Sequence, residues 1–355
     1  MLLNALKDVK IVGGACGRHH TALITDSGDG YGMGLNSMGQ CGTGSVKKSK
    51  GADDILMEPV KSQISNATFV SAGTEFTMWI CNGKLFSAGL PQYGQLGHGD
   101  DHQYNKSDSS IKMVFDPQPT PRRIETLAEK TVTRVACGQN HTVCVCSDGS
   151  VYTWGFGGYG RLGHKVQQDE FLPRLVEALS GRVVVPENAI VGAGSTSSFC
   201  SIEGGQLFAW GKLKATGDTQ MYPAPYYDLA GWDLISMSCG STTYGVSATS
   251  ACEQSVITWG QSNGYSELGY GEGGKKSSAN PDKCMALEGV KCYQVAMGVA
   301  HSLFLVDPED EKVKNAPVFE GKEVDDTAPK VISAAERAGA KRKAPAAGKG
   351  AKAKK

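Results

Sequence analysis

The histidines are the first residues in this sequence that could bind a metal or transfer a proton. His20, His141 and His301 each stand third after a glycine in similar segments. Other copies of the segment carry Phe76, Ser197 and Thr243 at this position. A ligand or catalytic position does not tolerate phenylalanine, so we interpret these histidines as structural, with a partner-binding surface as the alternative.

One local cluster combines imidazoles with carboxylates. It comprises His98, Asp100, Asp101 and His102. Their spacing fits neither a zinc motif nor a calcium-binding loop. We therefore interpret the cluster as a solvated loop between strands, and we predict no metal site.

Residues 155–160, GFGGYG, match the glycine pattern of dinucleotide-binding loops. Such a loop must open a helix whose amino terminus binds the pyrophosphate, and no amphipathic segment follows here. Equivalent positions elsewhere in the chain read GLNSMG and GLPQYG, without the middle glycine. The match is accidental on this interpretation, and we predict no cofactor.

The 11 cysteines are odd in number and include no short CxxC pair. Cys16, Cys137 and Cys239 precede repeated glycines, and alanine or methionine replaces them in other copies, which is typical of core packing. Cys144 and Cys146 share one face of a predicted strand. The chain contains no nucleophile elbow, Walker loop or HExxH motif, so we predict that it is not an enzyme.

One phrase occurs six times: a small residue, a glycine, three variable positions, then a strand that turns from polar to apolar. The phrase glycines are Gly17, Gly73, Gly138, Gly194, Gly240 and Gly298. Their spacing of roughly 50 residues is typical of propellers and solenoids.

Each phrase is followed by a tight turn and a second strand, as in SVYTWG, QLFAWG and SVITWG. These features predict a hairpin. A second glycine motif, which we call the marker, follows in four copies as GQCG, GQLG, GRLG and SELG. Each unit has room for about four short strands and no sustained helical period, so we predict an all-β, radial fold.

The ordered succession of ACGQNHT, a strand ending in WG, YGRLGH and a proline resembles the repeat of the regulator of chromosome condensation family. This resemblance covers residues from about 14 to 306 and implies a seven-bladed β-propeller. Four segments are particularly similar to one member of the family: WGFGGYGRLGH, the residues 221–232, ELGYG and QVAMGVAHSL. The long segment 99–124 is part of the same likeness.

Six phrases and about five complete units are fewer than seven blades require. We expect residues 11–306 to form the propeller, with the first one or two blades of the seven-bladed type missing. Open sheet edges promote association. We therefore expect this chain to be less stable than a closed ring.

Charge separates the propeller from the carboxyl-terminal residues. Of 36 basic residues, eight lie in 337–355 together with no acidic residue, which leaves 28 basic against 36 acidic residues elsewhere. We expect 307–336 to be a charged linker, and the composition predicts disorder from about residue 307 onward. The predicted nuclear-import and nucleic-acid-binding residues are Lys341, Arg342, Lys343, Lys349, Lys352, Lys354 and Lys355.

The family resemblance implies binding of small Ras-superfamily GTPases, in some members with guanine-nucleotide exchange. It also implies association with chromatin, the mitotic spindle, microtubules or centromere components. The expected location is the nucleus and chromosomes, with the cytoplasm and spindle as further sites. No apolar run is long enough to span a bilayer and no secretory signal is recognisable, so we expect no membrane insertion.

We expect partners to contact the turns beside the repeated glycines and the long insertion, because loops form the faces of a propeller. The predicted partner-binding residues are Arg18, His20, Glu75, Arg122, Arg123, Gln139, His141, Arg161 and His301. The alternative is a passive chromatin or cytoskeletal scaffold without exchange activity.

Overall fold

The computed structural model describes residues 4–46 and 54–318, apart from 182, 252, 263 and 272. These residues form five four-stranded antiparallel sheets, one two-stranded sheet and one small separate hairpin. The predicted all-β propeller architecture is confirmed, with five complete blades in the described residues.

The first sheet contains β1 (Ile11–Cys16), β2 (His20–Thr25), β3 (Gly30–Leu35) and β4 (Ile55–Lys61). The second sheet contains β5 (Ala67–Ala72), β6 (Phe76–Cys81), β7 (Lys84–Gly89) and β10 (Gln118–Arg123). The separate hairpin contains β8 (Gln103–Asn105) and β9 (Met113–Phe115). The third sheet contains β11 (Val132–Cys137), β12 (His141–Cys146), β13 (Val151–Gly155) and β14 (Glu170–Leu175).

The fourth sheet contains β15 (Val191–Ala193), β16 (Ser197–Ser201), β17 (Leu207–Gly211) and β18 (Gln220–Pro225). The fifth sheet contains β19 (Asp233–Cys239), β20 (Thr243–Ser250), β21 (Glu253–Gly260) and β22 (Ser278–Lys283). The sixth sheet contains β23 (Cys292–Met297) and β24 (Ser302–Val306). The short helices are the 3-10 turns Asn4–Leu6, Glu125–Leu127, Gly158–Gly160, Glu177–Leu179, Tyr227–Leu229 and Met285–Leu287, and α1 (Glu311–Lys314).

The first strand of each sheet lies innermost. It contacts the first strand of the next sheet, in the succession β1, β5, β11, β15, β19 and β23. Backbone hydrogen bonds join these strands at their ends: the Arg18 amide donates to the Thr74 carbonyl at 3.2 Å, and the Thr74 amide donates to the Gln139 carbonyl at 3.2 Å. The phrase glycines are needed here, because a Cβ on Gly138 would lie 2.4 Å from the Gly194 carbonyl oxygen.

The strand register places two kinds of loop on one face of the blades. His20 pairs with Gly34, and His141 pairs with Gly155. The phrase turn before the second strand and the connection after the third strand therefore lie at the same end of each sheet. We call this end the turn face.

The core lies between successive sheets, and the strands alternate between their two neighbours. In β12, Cys144 and Cys146 pack toward the second sheet, whereas Val143 and Val145 pack toward the fourth. This confirms the predicted packing of the two cysteines. Cys16 is exposed instead, so the prediction of core packing is wrong for that residue.

The compact unit extends to Lys314, beyond the expected boundary at residue 306. Asp307 accepts a hydrogen bond from the Tyr293 hydroxyl at 3.3 Å, and its amide donates to the Lys291 carbonyl at 2.9 Å. Lys312 Nζ donates to the Glu288 carbonyl oxygen. These bonds attach residues 307–314 to the compact unit, and the charged linker and disordered tail expected after residue 306 stay predictions.

The sixth sheet leaves one apolar face uncovered among the described residues. Leu303 and Leu305 occupy the positions of Val143 and Val145 in the repeat, yet they are 66% and 60% exposed, whereas the two valines are fully buried. The difference follows from the fourth sheet, which covers the valines. An exposed leucine pair beside an unpaired strand edge favours association.

We predict that Leu303→Ser combined with Leu305→Ser lowers self-association of this chain, because the substitutions remove apolar area from the uncovered face. Analytical ultracentrifugation across a concentration series measures the effect. Val184→Ser is the control, since Val184 is 62% exposed at another place. A wild-type chain that stays monomeric at high concentration would contradict the prediction.

Candidate functional site

The turn face is the best candidate site, because it collects the variable positions of the phrase from successive sheets. Its innermost turns are residues 17–19, 73–75, 138–140, 194–196, 240–242 and 298–301. The side chains of Arg18 and Gln139 are exposed there, and Glu75 is half-buried. The structure thus brings these three predicted residues together on one face.

His20 does not belong to that exposed surface, because it is only 3% exposed. Its Nε2 lies 2.8 Å from the Thr77 hydroxyl, which donates at 2.7 Å to the Gln40 carbonyl. The hydroxyl has a single proton and donates it to the carbonyl, so Nε2–H of a neutral imidazole must donate to Thr77. Burial, with a smaller contribution from His19, lowers the pKa of His20 to about 4.

His141 repeats this arrangement between the third and fourth sheets. Its Nε2 lies 2.8 Å from the Ser198 hydroxyl, which donates at 2.7 Å to the Arg161 carbonyl. His141 is fully buried. Burial and the positive charge of Arg161 lower the pKa of His141 to about 3. The ring packs against Gly138, where a Cβ would lie 2.2 Å from it.

The burial of His20 and His141 supports their structural interpretation, and the alternative of an exposed partner-binding position is wrong for both. Each imidazole connects its own sheet to a hydroxyl of the next sheet. That hydroxyl also donates a hydrogen bond to a backbone carbonyl of the marker. The imidazole, the hydroxyl and the carbonyl therefore connect neighbouring sheets. Phe76 at the same repeat position shows that an apolar ring can fill this space.

Arg161 is also buried, at 3% exposure, which corrects the prediction that it is available on a marker turn. Its Nε donates to the Gly158 carbonyl at 2.8 Å, and Nη1 donates to the Ser195 carbonyl of the next sheet. The guanidinium lies 4.6 Å from the centre of the Phe156 ring. Burial lowers the pKa of Arg161 to about 10. This residue holds two sheets together.

His301 is exposed, unlike the other two histidines. It lies in the turn immediately before β24, and no further sheet among the described residues supplies the hydroxyl that His20 and His141 bind. Its exposure therefore follows from its place in the order of the sheets.

Arg122 and Arg123 lie away from the phrase turns. They belong to β10, the outer strand of the second sheet, where they pair with Ser87 and Phe86. Three strand spacings, about 14 Å, separate this strand from the innermost one. Both side chains are exposed, and Arg123 forms a two-bonded ion pair with Glu125 at 2.7 and 3.0 Å. The structure thus does not bring this pair into the turn-face cluster.

The histidine that follows the marker is structural as well. His98 Nε2 lies 2.9 Å from the Ser87 hydroxyl, and His164 Nε2 lies 2.9 Å from the Thr153 hydroxyl. Burial is the main cause that lowers the pKa of each to about 4. Nearby, the His102 amide donates to Asp100 at 2.8 Å within the exposed loop. In the described part of the chain no group of three His, Cys, Asp or Glu side chains could hold a metal ion.

Sequence reasoning missed a set of turn-face side chains immediately before the marker. They are Met38, Tyr93, Tyr159 and Tyr265. In three sheets the marker side chain accepts the backbone amide of this residue, as Gln95 does for Tyr93 at 2.7 Å. Tyr159 and Tyr265 are 46% and 74% exposed. The repeated pattern of a large residue before the marker glycine was visible in the sequence and could have identified them.

The predicted tail residues lie outside the described residues. Within the described ranges, the helices are all too short to cross a membrane. The glycine pattern at 155–160 forms the end of β13 and a 3-10 turn, and Tyr159 there has a φ of 61°. The α-helix that a dinucleotide site needs is not formed at this place.

Comparison with known families identifies the repeat. The family profile described as regulator of chromosome condensation (RCC1) repeat matches residues 82–145 and 148–200. A second profile of the same description matches residues 132–161. These segments contain the markers of the second and third sheets and the phrases of the third and fourth sheets.

Among curated proteins, the chain is 39% identical to Protein RCC2 of Mus musculus over 339 residues. This match covers 90% of the chain and 62% of the relative, so the chain spans less than two thirds of the relative's length. The particular family member to which the sequence pointed, the second member, is thus confirmed as a strong similarity.

Two solved structures share the fold. Human WBSCR16 matches with a TM-score of 0.65 and 24% identity, covering 84% of this chain and 75% of its own. Prp20p of Saccharomyces cerevisiae matches with a TM-score of 0.55 and 16% identity, covering 86% and 84%. The Prp20p structure was reported together with its binding properties to Gsp1p and histones.

We predict that the free energy of unfolding falls as the pH falls below about 6.5. The unfolded chain binds protons on histidine near pH 6.5, whereas folded His20 and His141 resist protonation down to about pH 4 and 3. Each contributes a slope of at most about 1.4 kcal/mol per pH unit in that window, and stability is fully retained above it. His98 and His164 act in the same direction.

Urea unfolding at pH 8, 7, 6 and 5 tests this dependence. The variant His141→Phe, which introduces the residue found naturally at Phe76, should lose one histidine's share of the slope below pH 6.5. Above pH 7 both proteins should show no histidine-dependent slope, which serves as the internal control. An unchanged slope in the variant would show that His141 protonates as easily when folded as when unfolded.

Proposed function

Since the chain belongs to the family of regulator of chromosome condensation repeat proteins, we propose that it is a non-enzymatic platform whose turn face binds a small GTPase of the Ras superfamily. The observation that supports this proposal most is the succession of phrase turns on one face, which backbone hydrogen bonds join directly. The Gln139 amide, for example, donates to the Gly194 carbonyl of the next sheet at 3.1 Å.

Such a surface suits protein recognition. The turn backbones are fixed by their neighbours, so little conformational entropy is lost when a partner binds. The side chains differ from turn to turn: Arg18 stands in the first sheet, Glu75 in the second and Gln139 in the third. A fixed backbone with variable side chains permits specificity without disturbing the blades.

Promotion of nucleotide exchange would require no catalytic acid or base. A protein accelerates GDP release when it binds the nucleotide-free GTPase more tightly than the loaded form. Exchange is therefore compatible with buried, neutral histidines and with a face built for contact alone. Two similarities support a small GTPase and chromatin as the partners. One is the similarity to Protein RCC2, and the other is the similarity to Prp20p, whose structure was reported with its binding properties to Gsp1p and histones.

We also propose that the propeller is of the seven-bladed type. The support is the uncovered apolar face of the sixth sheet, where Leu303 and Leu305 are exposed in positions that neighbouring blades cover elsewhere. Further strands seated on this face would bury both leucines. Residues 337–355 are proposed to attach the protein to chromatin and to serve as a nuclear address.

We predict that Arg18→Ala combined with Gln139→Ala weakens GTPase binding by about 1 to 2 kcal/mol, because both side chains are exposed on the turn face. Biolayer interferometry against a panel of small GTPases, loaded and nucleotide-free, measures the affinity. Lys10→Ala is the matched basic control, since Lys10 is exposed at the opposite end of β1. Release of labelled GDP in the same panel separates an exchange factor from a passive scaffold.

Arg161→Ala is unsuitable for this test, because it removes hydrogen bonds between two sheets and would lower stability. The proposal of a GTPase-binding turn face fails if no GTPase of the panel binds the wild-type chain. It fails equally if the double variant binds as well as wild type while its unfolding midpoint is unchanged.

We predict that deletion of residues 337–355 reduces duplex DNA binding and its salt dependence. Eight basic residues contact at most about eight phosphates, and each contact contributes roughly 0.9 to the slope of log K against log salt. Fluorescence anisotropy from 50 to 300 mM salt measures the slope, and circular dichroism confirms that the fold is retained. An unchanged slope after the deletion would assign DNA binding to another part of the chain or remove it.

A further inference from the structure

The fourth sheet differs from its neighbours on the turn face. Its connection between β17 and β18 comprises residues 212–219 and has no marker. In the third sheet the longer connection 156–169 carries Arg161, whose backbone and side chain contact the next sheet. Where this marker is missing, a groove of about 390 Å³ opens between the fourth and fifth sheets.

We propose that this groove binds an acidic, carboxylate-bearing segment of a protein partner. The inference rests on the proposed function in one respect, that a protein partner binds the turn face. It assigns to that partner a chemical feature and a defined place of contact.

The lining of the groove supplies two cations and several uncharged polar groups. The polar lining residues are Ser195, Thr196, Lys212, Lys214, Thr242 and Gln261. Leu213, Ala215 and Ala279 add apolar surface. Below them, the Tyr244 hydroxyl lies 2.8 Å from the Ser197 hydroxyl, and this pair replaces the histidine–hydroxyl contact of other sheets. The base of the groove is therefore closed and fixed.

The described residues that line the groove include no carboxylate to pair with its lysines. Among the described residues, no ion pair joins Lys212 or Lys214 to an acid, and the residues lining the groove include neither aspartate nor glutamate. Lys283, by contrast, pairs with Glu253 at 2.9 Å and with Glu288 at 2.7 Å. Among the described residues, Lys214 Nζ donates to the Asn280 side-chain oxygen, at 2.8 Å, and to no carboxylate.

Tyr159 stands beside Lys212, whose Nζ lies 5.5 Å from the ring centre. Tyr159 has a left-handed backbone conformation, with φ of 61°, which is uncommon for residues other than glycine. Such conformations concentrate at functional sites. The amide of Tyr159 donates to the Gln167 side chain at 3.0 Å, which fixes the turn. A half-exposed tyrosine next to a cation offers a partner both apolar contact and charge.

An acidic peptide fits this groove better than a nucleic acid does. Phosphate backbones bind to extended rows of basic residues, and each contact contributes additively. Among the described lining residues only Lys212 and Lys214 are basic, and the hydroxyls of Ser195, Thr196 and Thr242 already donate to carbonyl oxygens of the chain. A few carboxylates bound to the two lysines match this composition.

Lysine footprinting tests the proposal with the full chain and a hexaglutamate peptide as the probe. Reductive methylation followed by mass spectrometry measures the reactivity of each lysine. We expect hexaglutamate to lower the reactivity of Lys212 and Lys214 about threefold, and hexaglutamine to leave it unchanged, because the contact depends on charge. Lys106 and Lys112, exposed around the β8–β9 hairpin, are the internal controls.

Two charge-matched variants complete the experiment. Lys212→Gln with Lys214→Gln should weaken hexaglutamate binding relative to Lys106→Gln with Lys112→Gln, which removes the same charge elsewhere. The basic tail is present in both variants and contributes equally. Equal affinity of the two variants, or protection of all lysines alike, would overturn the proposal. A thymidine 12-mer that protects Lys212 and Lys214 better than hexaglutamate does would assign the groove to phosphates and overturn it too.

These measurements need no GTPase, so they are independent of the proposed function. If hexaglutamate occupies the groove but no GTPase binds the turn face, only the proposed function fails. If a GTPase binds and Arg18→Ala weakens it, while Lys212 and Lys214 show no protection, only the groove proposal fails.

Discussion

At three junctions the contact between neighbouring sheets depends on one shared hydroxyl group. Thr77, Ser198 and Ser302 each donate to the carbonyl of a marker residue in the preceding sheet. A buried carbonyl left without a donor costs about 1 to 3 kcal/mol, so every such hydroxyl stabilises both sheets at once. The imidazoles of His20 and His141 then bind the same hydroxyls, and the phrase glycines make room for those rings. The glycines, histidines and hydroxyls are thus parts of a single joint.

The fourth sheet shows how the joint constrains function. This sheet has no marker whose carbonyl could accept a hydrogen bond from the fifth sheet. The Tyr244 hydroxyl of the fifth sheet instead forms a hydrogen bond with the Ser197 hydroxyl. The joint is kept by a different pair of side chains, and the space that a marker fills elsewhere becomes a groove. Stability and recognition are therefore separable here: the buried pair holds the sheets, while Lys212 and Lys214 above it are free of structural ion pairs among the described residues.

Sequence reasoning identified the strands, the hairpins and the repeat, because glycine spacing and period-two patterns depend on local backbone geometry. It failed at Arg161, since the spacing of a repeat does not tell which residue of a turn points between sheets. At His20 and His141 the replacement by Phe76 favoured the structural interpretation, which their burial supports, although both were also named as partner-binding candidates. The groove was beyond prediction, because it arises from a missing motif and from the approach of two sheets distant in the chain.

The buried histidines also determine where recognition can occur. The third residue after each phrase glycine packs in the contact between sheets. The first and second residues after the glycine are therefore the positions whose side chains can differ from turn to turn and contact a partner. Arg18 and Gln139 occupy such positions, and their neighbours in the fourth and fifth sheets are serines and threonines. The charged side chains of the inner turns therefore lie in the early sheets, and the groove lysines lie in the fourth. A partner that spans the turn face would contact positive charge at Arg18 and again at Lys212, separated by the acidic Glu75 of the second sheet and the neutral turn of the third. This spacing of charge can orient a partner on a face whose repeated backbone gives no orientation of its own.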